Sequence, residues 1–228
     1  MSRFLASLTG RLGDSLTRAN RRRQFQEALF DAVKDGKLTE EEMEELSRFR
    51  DEYGFTEEDI RPVRVQLYLI AFESVSEDEN VSEDEWNEMS KIQTFLGIKD
   101  TEVGPTKKEL LRLHILNEID HGHLPVVRPK ALALPDGERA HWVEKVELQS
   151  KSAEQKGTLV VTNKRLIFQS KKPFALRLPK ILDVRGDELQ LRVAEAGDKP
   201  ARVFRLNDRS TRGILQSALS RAMMLYGT

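Results

Sequence analysis

The chain has 228 residues, of which 39% are hydrophobic and 33% are charged, with a formal net charge of −1 and no cysteine. This composition excludes disulfide bonds and thiolate metal sites, and no apolar run reaches the length of a membrane span. The first residues lack the continuous apolar core of a secretion signal, so we expect a cytoplasmic protein that attaches at most peripherally to a membrane.

Charge is sorted along the sequence. Residues 1–23 carry six arginines and one acidic residue, residues 24–103 carry 23 acidic and 8 basic residues, and residues 104–228 carry 14 acidic and 23 basic residues. Such sorting predicts segments with separate roles. The alternative is that the acidic and basic parts simply attract each other.

Residues 1–21 predict an amphipathic, basic N-terminal segment. Four leucines fall on one face of a helix and three arginines lie around it, namely Leu5, Leu8, Leu12, Leu16, Arg3, Arg11 and Arg18. Two interpretations stay open: the segment contacts a membrane, or its leucines pack on the protein's own helices, which we favour. In the second case residues 18–25 form a hinge that touches the acidic part of the chain.

Residues 35–60 and 78–103 repeat one pattern, which predicts a helix–loop–helix unit used twice. In each copy a hydroxyl residue is followed three positions later by a glutamate, which predicts a capping box where a helix begins: Thr39 with Glu42, and Ser82 with Glu85. Gly54 and Gly97 stand where these helices are predicted to end.

Further helices complete the acidic half. They are predicted at about residues 22–34 and 61–75, with Pro62 in the first turn of the second. A last helix begins with a predicted capping box and ends at a glycine, namely Thr106, Glu109 and Gly122. These elements predict an all-α domain over residues 22–121 and a linker over residues 122–138.

The loops of the two copies resemble calcium-binding EF-hand loops. The ligand positions of such loops fall on Asp31, Asp35, Lys37 (through its carbonyl), Thr39 and Glu42 in the first copy, and on Asp78 and Glu85 among others in the second. Val33 supplies no ligand at position 3, and Glu79 replaces the usual glycine. The resemblance implies Ca²⁺ as the one candidate cofactor. The alternative is that these residues only cap helices and form turns.

The same stretch, DGKLTEEEMEEL from Asp35, is equally similar to the "DG-hydrophobic-S/T-x-x-E" signature of the tellurite-resistance TerB-like family. The match covers roughly residues 22–120. Its matching acidic positions are Asp35, Glu42, Asp78 and Glu85. This resemblance implies an all-α domain linked to stress responses and metal ions.

After the linker, the hydrophobic period changes from that of a helix to that of a strand, which predicts a second domain over residues 139–228. Seven strands are predicted at 140–150, 157–162, 165–169, 174–178, 181–185, 188–193 and 201–206. Gly186 and Asp187 are predicted to form a turn, and Leu189 to point into the core. A closing helix at about 209–225 carries an apolar stripe of Ile214, Leu215, Ala218, Leu219 and Ala222. The predicted fold class is therefore α+β.

The segment GTLVVTNKRLIFQ resembles the "G-x-L-x-x-T-x-x-R-L-x-F" hairpin of the GRAM branch of pleckstrin-homology (PH)-like domains. Gly157, Thr162, Arg165 and Phe168 match this motif as fold elements. With the strand order, the resemblance covers residues 132–226. It implies a seven-stranded barrel or sandwich, capped by the last helix, that binds lipid headgroups or protein segments without catalysis.

Five lysines are candidate lipid-binding residues. In a meander, the first and third loops emerge at the same edge of the sheet, and by resemblance a later loop joins them, which would group Lys151, Lys156, Lys171, Lys172 and Lys199. Each such lysine adds about 1 kcal/mol of attraction to an anionic membrane surface. The alternative is that these lysines keep loops soluble and block sheet edges.

No sequence pattern indicates catalysis, because no Ser-His-Asp or Cys-His set, glycine-rich phosphate loop or metal-ligand trio stands out. We therefore expect no catalytic or cofactor-binding residues and no nucleic-acid partner. The favoured interpretation is an adaptor with a protein partner or an anionic membrane surface. The alternative is a regulator that responds to calcium or another divalent cation. The sequence leaves the oligomeric state open.

Overall fold

The computed structural model describes residues 18–130, 132–149, 154–197 and 200–227. The chain divides into two compact units, Met1–His114 and Ile115–Thr228. We call them the helical unit and the sheet unit. The predicted N-terminal segment lies outside the described residues as far as residue 17, and its last residues begin the first helix.

Among the described residues, five helices form or enter the helical unit: α1 (Arg18–Val33), α2 (Glu40–Tyr53), α3 (Glu57–Val75), α4 (Glu83–Phe95) and α5 (Gly104–Asp120), whose last turns belong to the sheet unit. Their apolar faces meet in one core, and its largest fully buried side chains include Leu29, Leu38, Tyr68, Met89 and Ile92. The predicted all-α first part of the fold is confirmed.

Both predicted capping boxes form. The Glu42 carboxylate accepts the Thr39 backbone N–H at 2.9 Å, and the Thr39 hydroxyl oxygen accepts the Glu42 N–H at 3.2 Å. The corresponding distances between Ser82 and Glu85 are 2.8 and 3.3 Å. Each pair satisfies N–H groups that a helix start otherwise leaves without a partner, so the repeated phrase begins two equivalent helices.

Three helix starts differ from the prediction. The first described helix was predicted from residue 22 but already includes Arg18, so the predicted hinge is helical. Its Arg18 and Arg22 lie 3.5 and 3.9 Å from the Asp59 carboxylate. Helix α3, which was predicted from residue 61, begins at Glu57, and this places Pro62 inside the helix. Helix α5 begins at Gly104, so Thr106 lies within its first turn and forms no capping bond among the described residues.

The sheet unit contains seven antiparallel strands: β1 (Ala140–Gln149), β2 (Gln155–Thr162), β3 (Arg165–Gln169), β4 (Phe174–Arg177), β5 (Ile181–Asp187), β6 (Gln190–Glu195) and β7 (Arg202–Arg205). A short 3-10 helix, Leu178–Lys180, joins the fourth and fifth strands. The strand order is β4-β3-β2-β1-β7-β6-β5, so the first and last strands are neighbours. Helix α6 (Arg209–Tyr226) follows, and the predicted α+β class is confirmed.

The hairpin between β5 and β6 turns two residues later than predicted. Gly186 lies within β5 opposite Leu191, and the turn falls at Glu188 and Leu189, where Glu188 has a φ of 41°. The predicted inward position of Leu189 is therefore wrong, and that side chain is half-buried in the turn. A Cβ at Gly186 would meet the side chains of Gln216 and Arg212 of the last helix at 2.2 and 2.5 Å, so a larger residue there requires these flexible side chains to move.

The sheet is covered on both faces. The predicted stripe of α6 is fully confirmed as buried, and three of its members pack on one face with Phe168 and Phe204. Linker residues Val127, Leu132 and Leu134 pack on the opposite face, against alternate strand residues such as Val160 and Ile167.

Candidate functional site

Three connections of the sheet leave from one edge. Strands β1 and β3 both run antiparallel to β2, so they end at the same edge, and Gln149 at the end of β1 pairs with Val203 near the start of β7. The β6–β7 connection therefore begins there as well. We call this edge the loop rim and define it by its described residues, 154–156, 170–173, 195–197 and 200–202.

The loop rim brings the predicted lysines to one edge as far as they are described. Lys171 and Lys172 lie exposed in a turn that the Ser170 hydroxyl holds by accepting the Lys172 backbone N–H at 3.2 Å. The Lys156 side chain is 85% exposed. Lys151 and Lys199 lie outside the described residues, in connections that leave from this edge.

Part of the charge of the loop rim is neutralised within the unit. The Lys156 ammonium lies 3.2 Å from the Glu147 carboxylate. The Arg202 guanidinium lies 3.6 Å from Glu195 and 4.0 Å from the centroid of the Phe174 ring. The ammonium groups of Lys171 and Lys172 form no ion pair among the described residues, so these two lysines are the charges that the rim offers to an anion.

The carboxylates predicted to bind a cation make short-range contacts instead. Asp31 pairs with Lys34 at 2.8 Å, the Asp35 carboxylate accepts the Lys37 N–H at 3.1 Å, and Glu42 is held in its capping box. Asp78 likewise accepts the Asn80 N–H at 3.0 Å. Within the described residues no three His, Asp or Glu side chains are grouped closely enough to hold a metal ion.

The backbone of the two loops is nevertheless repeated. The sixth position is left-handed in both, with a φ of 75° at Gly36 and 58° at Glu79, which is an uncommon conformation for glutamate. Leu38 and Val81 at the eighth position are both fully buried, and Glu88 of the second copy accepts the Leu38 N–H at 3.2 Å. Calcium binding at these loops stays a prediction.

Sequence reasoning missed a buried ion pair at the start of the sheet. The Glu138 side chain is 2% exposed and receives two hydrogen bonds of 2.9 Å from the Arg165 guanidinium and one of 2.8 Å from the Thr162 hydroxyl. Burial alone would raise the pKa of Glu138, but these donors outweigh it and hold the pKa below its ordinary value. The threonine and arginine of the hairpin motif thus lock the linker onto the sheet.

The strand order with its closing helix defines the fold. The sheet unit is PH-like. No protein-family model matches the chain, and no curated protein does. Solved structures with a similar fold include the PH domain from PfAPH, with 16% identity over 37% of this chain and 84% of that chain and a TM-score of 0.34. Because this score and those that follow are below 0.5, the assignment rests on the topology.

Two further similar structures contain PH domains. The N-terminal PH domain of human ARAP2 shares 15% identity over 42% of this chain and 86% of that chain, with a TM-score of 0.33. The DH/PH domains of PDZ-RhoGEF, solved in a complex with activated RhoA, share 12% identity over 81% of this chain and 62% of that chain, with a TM-score of 0.37. The GRAM and TerB-like resemblances stay predictions. No helix among the described residues is long and apolar enough to cross a bilayer.

Proposed function

We propose that the chain is a non-catalytic interaction module whose PH-like unit attaches to an anionic membrane surface through the loop rim. The observation that carries the proposal is the convergence of three connections at one edge, where Lys171 and Lys172 stay exposed without an ion pair among the described residues. Exposed ammonium groups at a common edge can meet several lipid phosphates at once, and their attractions add.

In this proposal the helical unit supplies a second surface, for a protein partner. Its support is the concentration of acidic side chains at the starts of α2 and α4, which presents negative charge next to the repeated loops. The TerB-like motif supports a role in stress responses. An adaptor of this kind would connect a protein partner to a membrane.

Vesicle sedimentation tests the membrane part. The wild-type chain should pellet with vesicles of phosphatidylcholine and phosphatidylserine and not with phosphatidylcholine alone, and added salt should weaken the binding. Lys171→Glu with Lys172→Glu should weaken it by about 30-fold or more. Arg192→Glu with Arg205→Glu is the matched control, since both arginines are exposed on other strands of the same unit. Equal pelleting with both vesicle types would contradict the proposal.

Regulation by a divalent cation is a second candidate, favoured by the repeated left-handed position at Gly36 and Glu79. Binding would require Glu42 to exchange its capping bonds for a metal bond, so it should change helix content and the melting temperature. Circular dichroism during a calcium titration checks this, with Glu42→Gln as the comparison. A response that Glu42→Gln leaves unchanged would place the cation elsewhere.

A further inference from the structure

A group of exposed cations without ion pairs among the described residues lies away from the loop rim, around the β2–β3 turn. The Asn163 N–H donates to the Arg139 carbonyl at 3.1 Å, and the Arg139 N–H donates to the side-chain oxygen of Asn163 at 2.9 Å. The Lys164 carbonyl accepts the Leu178 N–H at 3.1 Å. These contacts place Arg139 and Lys164 side by side, next to the end of β4. We call the surface formed by Arg128, Arg139, Lys164 and Arg177 the basic end.

Two arginines at the basic end face each other across neighbouring strands. Arg165 of β3 pairs directly with Arg177 of β4, and like charges in such a pair repel each other. Glu138 neutralises Arg165 through two hydrogen bonds from its guanidinium, whereas the charge of Arg177 has no carboxylate partner among the described residues. The side chains of the basic end are exposed and form no ion pair among the described residues. At the loop rim, by contrast, Lys156 and Arg202 each have a carboxylate partner.

Exposed apolar side chains border the basic end. Arg128 and Arg139 line one depression of about 390 Å³ together with Val126, which is 66% exposed. His141 follows two residues after Arg139, and its ring stacks parallel to the Tyr226 ring, with the two centroids 5.8 Å apart. Its Nδ1 lies 2.9 Å from the Pro125 carbonyl oxygen. The stack brings the last turn of α6 next to His141, and this turn carries two exposed side chains, Met224 at 71% and Tyr226 at 40%.

We infer that the basic end docks on the anionic surface of a lipid bilayer, with its arginines at the phosphates and its apolar border in the interface. The inference rests on the proposed function and adds the basic end as a second membrane contact besides the loop rim. Cations next to projecting valine, methionine and tyrosine side chains fit a bilayer, where arginine meets headgroups and tyrosine favours the interface. An acidic polypeptide would satisfy the cations and leave the apolar side chains in water.

Charge reversal at the two ends of the unit tests the inference in the full-length chain. Arg139→Glu with Arg177→Glu should weaken partitioning onto phosphatidylserine-containing vesicles by about 30-fold or more, whereas Arg192→Glu with Arg205→Glu should change it by about twofold at most. Val126→Ser with Met224→Ser should weaken it by about tenfold and leave the salt dependence unchanged. Circular dichroism confirms that each variant is folded.

The outcomes separate this inference from the proposed function. Loss of binding in Lys171→Glu with Lys172→Glu, together with full binding in Arg139→Glu with Arg177→Glu, would overturn the inference and keep membrane attachment. No binding by the wild-type chain would overturn both. Retention on polyglutamate, insensitive to the Val126 and Met224 changes and with no retention on vesicles, would show that the basic end takes an acidic polypeptide, which also overturns it.

Discussion

Gly157 of the hairpin motif is required by a close approach between two strands. A Cβ at this position would lie 2.5 Å from both the Gln169 carbonyl oxygen and the buried Phe168 ring. Gly157→Ala should therefore lower the free energy of unfolding of the sheet unit by about 1–3 kcal/mol, because backbone and core must both shift. Urea unfolding followed by Trp142 fluorescence, in a Trp86→Phe background, measures this change.

Gly213 is the matched control, since a Cβ there meets no atom within 4 Å and the residue lies inside α6. Gly213→Ala should raise the free energy of unfolding by about 0.5–1 kcal/mol, as alanine lowers the conformational entropy of the unfolded chain. Similar destabilisation by both substitutions would contradict the explanation of the motif glycine.

His141 makes the stability of the sheet unit depend on pH. The residue is 3% exposed, and burial, followed by the nearby charge of Arg139, lowers its pKa from the ordinary 6.5. As pH falls below 6.5, His141 becomes protonated in the unfolded chain but stays neutral in the folded chain. The contribution of neutral His141 to the free energy of unfolding is therefore present above pH 6.5 and is lost as pH falls toward the lower pKa of the folded chain. The free energy of unfolding then changes by at most about 1.4 kcal/mol per pH unit, which corresponds to the uptake of one proton.

Urea unfolding between pH 8 and 5.5, roughly the range around the ordinary histidine pKa, checks this, again with Trp142 as the reporter. His141→Asn should flatten the pH dependence, because the amide can donate to the Pro125 carbonyl but does not titrate. His123→Asn is the comparison variant at an exposed histidine, whose side chain is 71% exposed. An unaltered slope in His141→Asn would assign the effect to another group.

At the scale of elements, Asp59 holds the start of α3, and the corresponding bond in the second copy of the repeat joins Lys99 and Glu102 at 2.9 Å. The Asp59 carboxylate accepts the Thr56 N–H at 3.0 Å, and this bond, more than the neighbouring Arg18 and Arg22, lowers the pKa of Asp59. Asp59→Ala should cost the helical unit about 1 kcal/mol and shorten the helix at its start. Trp86 fluorescence during urea unfolding measures the loss, and Glu58→Ala, with a side chain 81% exposed, should have no comparable effect.

The elements show which parts of the structure the sequence determines. The helix starts at Thr39 and Ser82 were predicted to the residue because the box is a local bond, whereas the same pattern at Thr106 lies inside a helix that begins at Gly104. Pro62 was misplaced because the pair of Thr56 and Asp59, upstream of it, had already begun the helix. The β5–β6 turn was misplaced because Gly186 and Asp187, which favour a turn locally, pair with Leu191 and Gln190 as the last residues of β5, and no local pattern contains that pairing.

The same distinction applies to the candidate site. The loop rim follows from strand order, so a meander pattern was enough to place the described Lys156, Lys171 and Lys172 at one edge. The basic end was missed because its members come from the linker, from a tight turn and from a short strand, and they become a group only through pairings such as Arg165 with Arg177. Glu138 was missed for the same reason, since its partner Arg165 lies 27 residues along the chain.

At the scale of the whole molecule, α5 contributes to two cores. Leu113 is buried in the helical unit, in the core on which Trp86 packs, whereas Ile119 is fully buried against Ile214 and Ala218 in the sheet unit, beside Trp142. The predicted domain boundary at residue 121 would assign both residues to the helical domain. The two buried side chains therefore provide a test of where the units divide.

Leu113→Ala should lower the stability reported by Trp86, and Ile119→Ala that reported by Trp142, each by about 2–5 kcal/mol, because each leaves a cavity in one core only. Full-length chains with a single tryptophan, carrying Trp142→Phe or Trp86→Phe, separate the two signals during urea unfolding. Leu111→Ala is the control on the same helix, since Leu111 is 43% exposed. If Ile119→Ala shifted the Trp86 transition alone, α5 would belong wholly to the helical domain and the boundary would lie at residue 121.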